Sequence, residues 1–154
     1  MEILIIIIIG GIILYLVFED KTGKKYKKGI TALQADNLDL AEQYFKEISG
    51  KHKEANSKLE EITFKRGEIS EHTGDLEKAY EYFSTIQKNN SKAAERLVEI
   101  DFTRGLSAKK NGDLDAAYNF FSKIASNSKK AFFEASKIDF KRGVTAEFSK
   151  TYSV

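Results

Sequence analysis

The residues of this chain with the types and spacing for chemistry are few. Asp101 with Arg104, and Asp139 with Arg142, stand at i, i+3 and can pair on a helix surface, among apolar neighbours that would partly bury them. That pattern predicts ion pairs that fix how helices stack rather than an acid and base poised for turnover. With no cysteine in the chain, thiol nucleophiles, disulfides and thiolate-bound metals are excluded. His52 and His72 are the only imidazoles, one in a connection and one near a helix end, and no carboxylate arrangement recurs around them. They read as surface histidines. Glu60-Glu61 reads as part of a solvated helix face. Gly105-Leu106-Ser107 lacks the strand-to-helix context of a nucleophile elbow, and the glycines do not cluster into a phosphate-cradling loop. The expectation is a protein without catalytic residues, metal or cofactor.

The elements that carry these residues are repeated. Gly105 to Ile124 restates Gly67 to Ile86 at an offset of 38 positions; a looser copy runs from Gly29 to Ile48, and a fourth opens at Gly143. The columns hold one by one: Gly29, Gly67, Gly105 and Gly143; Ala41, Ala79 and Ala117; Phe45, Phe83 and Phe121; then Ile48, Ile86 and Ile124. Ala79, Tyr80, Phe83 and Ile86 are spaced by threes and fours, the period of one helix face. Gly74-Asp75-Leu76 and Gly112-Asp113-Leu114 supply a stop for one helix and an N-cap for the next, with Asp36-Asn37-Leu38 substituting in the first copy. The pattern predicts helix pairs at about 22–35 with 38–49, 53–73 with 76–88 and 92–111 with 114–126, followed by a lone helix from 129 to about 149. Zero proline and abundant Lys, Glu, Ala, Leu and Ile agree with an all-helical chain.

Gly67, Gly74, Ala79 and Phe83, and again Gly105, Gly112, Ala117 and Phe121, resemble the tetratricopeptide repeat pattern of a glycine in the first helix, a small turn residue, an alanine and an aromatic. The resemblance covers roughly residues 22–150. The period here is longer than that family's usual one, the chain has no proline, and Asp101, Arg104, Asp139 and Arg142 stand near where the family tends to carry large apolar residues. It implies a right-handed α-solenoid of helix-turn-helix units, about three and a half of them, over residues 21–154. It also implies close packing of Gly29, Gly67, Gly105 and Gly143 against the alanine and phenylalanine columns, with a concave face formed by the first helices. Tyr26, Phe64, Phe102 and Phe140 form a row there, with Ile30, Glu68, Leu106 and Val144 beside them. That row is either a peptide-binding groove or core buried between repeats. The matching places hold none of the Lys and Asn with which some members of the family grip a peptide carboxylate.

Before the repeats stands Ile3 to Phe18, sixteen residues without a charge. It predicts one transmembrane helix as an anchor over residues 1–20, with a cleaved signal peptide or a buried first helix as rivals; against the signal peptide, no Lys or Arg precedes the run and no small-residue cleavage site follows it. Lys21, Lys24, Lys25, Lys27 and Lys28 lie on its C-terminal side, which by the positive-inside rule would leave the repeats on the cytoplasmic side of the membrane. A net charge of +2, with Lys and Glu interspersed, argues against nucleic acid as a partner. The expected function is non-covalent: a membrane-anchored scaffold that binds a protein or peptide. The alternative is a structural subunit that stacks end to end into a homo-oligomer, and a weaker third is an enzyme or its accessory subunit. Phe132, Phe133, Phe140, Val144 and Phe148 leave the last helix poorly suited to face water on all sides.

Overall fold

Three turns of one kind set the rhythm of the chain. In each, a residue with positive φ ends a helix: Asp36 at 56°, Gly74 at 82° and Gly112 at 84°. Asn37, Asp75 and Asp113 follow, and each does two jobs. Its backbone N–H donates to the carbonyl five residues back, of Ala32, Ser70 and Ala108 respectively. Its side chain then caps the next helix, accepting from the N–H of Leu40, Lys78 and Ala116 at 2.9 to 3.1 Å. Schellman closure and N-cap are thus fused in two residues, which satisfies orphan carbonyls and an orphan amide in one tight reversal.

The computed structural model describes residues 2–152, with the side chains of 1–6, 10, 12–20 and 145–154 outside the described set. Among the described residues the helices are, in order, α1 Glu2–Gln34, α2 Leu38–Ile48, α3 Ala55–His72, α4 Leu76–Ile86, α5 Ser91–Lys110, α6 Leu114–Ile124 and α7 Lys129–Tyr152. Among the described residues there is no strand. The chain forms two compact units, Met1–Ile69 and Ser70–Val154.

In the first unit α2 lies against α1, and one core joins Ala32 and Leu33 of α1, Ala41, Phe45 and Ile48 of α2, and Ala55 and Ile62 of α3. In the second, α5 packs on α4 and α6, and α7 packs on α6. Ala117, Phe121 and Ile124 of α6 share a core with Ala131, Ala135 and Ile138 of α7, and Val98 and Phe102 of α5 close it from the other side. The short helices α2, α4 and α6 are the filling: each has its alanine and phenylalanine fully buried. The long helix α5 has two working faces, one resting on α4 and one lying under α6.

The glycine column explains how close that second face comes. A methyl group at Gly29 would stand 2.8 Å from the Phe45 ring, and one at Gly105 would stand 2.6 Å from Phe121, both inside van der Waals contact. Gly67 is buried as well. Gly143 departs from expectation: nothing lies within 4 Å of the place its Cβ would take, and the residue is exposed.

The anchor expected ahead of the solenoid is corrected. Among the described residues no helix is long and apolar enough to cross a membrane. The uncharged run at 3–18 is one end of α1, which continues unbroken through the lysines at 21, 24, 25, 27 and 28 to Gln34. At about 1.5 Å per residue such a run reaches only about 24 Å, against a hydrocarbon core of about 30 Å. Most side chains of that run lie outside the described residues; Ile7, Ile8 and Ile9, which are described, are exposed. The single-pass location and the cytoplasmic orientation derived from it fall with the anchor; the boundary drawn at residue 20 lies inside α1. Phe148 likewise lies outside the described side chains.

Candidate interaction surface

The aromatic row changes character along the chain. Tyr26 packs edge-on to Phe45, with ring centres 5.6 Å apart, and with Ile30 it lines the core of the first unit. Phe64 and Glu68 are half-buried. Phe102 leans on Phe121 at 5.4 Å and is partly buried, while Leu106 beside it is exposed. Phe140, in the same column, is 76% exposed, and Val144 is exposed with it. The difference has a simple cause. Tyr26 and Phe102 lie under α2 and α6, whereas the corresponding face of α7 carries no second helix among the described residues.

That face of α7 is wider than the column alone implies. Phe132 and Phe133 are 62% and 59% exposed, and they stand where α5 has Ala94 and Glu95. At 100° per residue Phe132, Asp139, Gly143, Phe140, Phe133 and Val144 form one stripe, roughly opposite the stripe of Ala131, Ala135 and Ile138 that is buried on α6. The helix is therefore apolar on two sides. Lys137 sits over the Phe133 ring at 4.2 Å and ion-pairs with Glu134, so one edge of the stripe is bordered by charge.

Two sets of ion pairs hold the long helices to the short ones. In the first, Arg66, Arg104 and Arg142, each preceding a column glycine, reach back 27 positions to Asp39, Glu77 and Asp115 near the start of a short helix. Arg104 meets Glu77 at 2.6 Å and lies 4.4 Å from the centre of the Tyr80 ring; Arg142 lies 4.8 Å from that of Tyr118. Arg66 adds Glu42 at 2.8 Å, in the place of those tyrosines. The local pairing expected of Asp139 with Arg142 is corrected: Arg142 goes to Asp115, because the short helix it packs on offers both a carboxylate and a ring.

The second set runs forward. Lys25 of α1 meets Glu47 of α2 at 2.6 Å, and in the same register Asp101 of α5 meets Lys123 of α6 at 2.8 Å, with the signs exchanged. Asp101 is 2% exposed, and Arg104 stands 3.4 Å from its other oxygen. Lys123 also donates to the Tyr80 hydroxyl at 2.7 Å, and the Asp101 carboxylate, then Tyr80, hold its ammonium pKa above the ordinary value. Arg104 keeps its Nε without a hydrogen bond, and its contact with Glu77 is an ion pair rather than an aligned hydrogen bond. Asp139, which follows Asp101 in this register, is exposed and has no ion pair among the described residues.

His52, expected at the surface, is half-buried and stacks flat on Tyr26 with ring centres 4.1 Å apart; His72 is exposed. Burial, then the nearby Glu54, pushes the Tyr26 phenol up. An open cleft of about 360 Å³ between α1 and α2 is lined by Lys21, Lys24, Lys25, Lys28 and Lys51, with Glu47 neutralising Lys25. Among the described residues no group of His, Asp and Glu could hold a metal ion.

Compared with known families and curated proteins, the chain matches no family model and no curated sequence. The tetratricopeptide resemblance thus has no support beyond the columns of this chain, and the helix pairs stand on their own geometry.

Proposed function

We propose that this chain is a protein-binding scaffold of helix pairs that holds another polypeptide without covalent chemistry. One observation carries the reading: the stripe of Phe132, Phe133, Phe140 and Val144 on α7, exposed on the side away from the core that α7 shares with α6. Contiguous exposed apolar surface of this kind marks interaction sites, and aromatic anchors dominate binding energy where they occur. Phe102, partly covered by Phe121, is the internal control, being the same residue in the same column.

The test places a photo-crosslinking residue at position 140 or 102 of the full chain in cells. The reading expects a discrete crosslinked protein from 140 and little from 102; equal, diffuse labelling from both overturns it. Self-assembly through the same stripe is the second reading, since two copies would each bring an exposed face. Sedimentation velocity across a hundredfold concentration range separates the two: a constant species favours partner binding, and a growing series favours assembly.

A further inference from the structure

The open face of α7 is the face that α6 covers on α5. On α5 that face consists of Asp101, Phe102 and Gly105, and α6 meets it with Lys123 on the carboxylate and the Phe121 ring on the glycine and on Phe102. On α1 it consists of Lys25, Tyr26 and Gly29, and α2 meets it with Glu47 and Phe45 in the same places. On α7 the same three positions are Asp139, Phe140 and Gly143. All three are exposed, and nothing lies within 4 Å of where a Cβ on Gly143 would be.

We infer that this face is a docking site for one amphipathic helix of the α6 type, supplied by a different protein. Its phenylalanine would lie on Gly143 and Phe140, an alanine would stand four residues before that phenylalanine, and a Lys or Arg two residues after it would pair with Asp139. The inference rests on the protein-binding reading above and specifies its occupant. Three observations select it. The interface is already built twice in this chain, and the register continues onto α7. The charge at position 139 calls for a cation, as Asp101 does, and not for the carboxylate that Lys25 takes. Finally, Ala41 and Phe45, Ala79 and Phe83, and Ala117 and Phe121 are fully buried, so none of the described short helices, here or in a second folded copy, is free to occupy it.

The probe is a fluorescein-labelled synthetic peptide with the sequence of residues 112–126, which carries the α6 helix and its Asp113 cap, titrated with the full chain and read by anisotropy. Saturable one-to-one binding is expected. F121A in the peptide should weaken it at least about tenfold, as loss of a buried aromatic anchor does. K123E in the peptide should weaken it about two- to fivefold, the worth of a rim ion pair. Asp139→Lys in the protein should restore the K123E peptide and weaken the parent one. This exchange reports position, because a peptide that displaced α6 from α5 would meet Asp101 and be indifferent to residue 139. Gly143→Leu should abolish binding while circular dichroism shows helicity unchanged or raised.

No binding, equal binding of parent and F121A peptides, or failure of Asp139→Lys to rescue K123E overturns the inference. So does a concentration-dependent dimer that Phe140→Asp dissolves, which would make a second copy the occupant. If position 140 crosslinks a discrete protein in cells while the peptide series shows no binding, the occupant is wrong and the protein-binding reading survives.

Discussion

Gly105 and Gly143 share a column and should answer the same substitution with opposite signs. At Gly105 a methyl group would collide with the Phe121 ring, which is packed on every side, so Gly105→Ala should destabilise by about 1–3 kcal/mol, the cost of overpacking. At Gly143 the space is open, and Gly143→Ala should stabilise α7 by up to about 1 kcal/mol through helix propensity alone. Thermal and urea unfolding of the two variants beside the parent would check the pair; two shifts of the same sign would remove the distinction. Asp101 is a second test at this scale. Removing it leaves the Lys123 ammonium and the Arg104 guanidinium facing a void, and Asp101→Ala should cost about 1–3 kcal/mol. The lower half of that range is expected, because the Lys123 side chain is half-exposed and screened.

Among the elements, the short helices were plain in the sequence and the ties between helices were not. Gly74, Gly112 and Asp36 announce their turns by residue type, and Asn37, Asp75 and Asp113 act as the caps their positions predict. The columns of alanine and phenylalanine are the core because a buried helix face must repeat when the helix repeats. The reach of Arg142 to Asp115 was hidden, since its two ends fall in different columns and a nearer partner, Asp139, competes for attention in the linear text. Exposure in the aromatic column was hidden for a different reason: Phe102 and Phe140 are one letter in one register, and only the helix lying over the first separates them. The run at 3–18 shows the converse, where apolar composition suggested a separate anchor and the backbone gives one end of a longer helix. At this scale Phe121→Ala should be the most damaging single change in the second unit, about 3–5 kcal/mol, because it empties the space against Gly105 and strips the cover from Phe102. Near-ultraviolet and far-ultraviolet circular dichroism during urea unfolding would show it.

For the whole molecule the charges set the response to pH. Glu42 in the first unit and Glu134 in the second are held below the ordinary carboxylate value of 4.5, by Lys46 and Lys109 first, against a smaller opposing effect of burial. A depressed carboxylate stabilises the fold above its unfolded pKa, and that contribution fades as pH falls through the lowered folded value. Both units should therefore hold their full stability at neutral pH and lose part of it below about pH 4.5. Lys123 works at the other end, since its raised pKa gives a contribution that is complete below the unfolded value of 10.5 and is lost only as pH rises through the folded one. Urea midpoints measured at pH 7, 4.5 and 3 should fall in that order, and Glu134→Gln should flatten the acid limb. An acid limb identical in parent and variant would place the titrating groups elsewhere.

The exchanged signs at Lys25–Glu47 and Asp101–Lys123 bear on how a chain of near-identical pieces avoids assembling in the wrong order. Were α6 to settle on α1 during folding, Lys123 would come to rest opposite Lys25; were α2 to settle on α5, Glu47 would face the buried Asp101. Shape would permit either error, since the phenylalanine and the glycine match in both. Like charge forbids them, so polarity at one site per pair distinguishes neighbours that packing alone would confuse, and reversing one pair to match the other should slow refolding through trapped, misordered species.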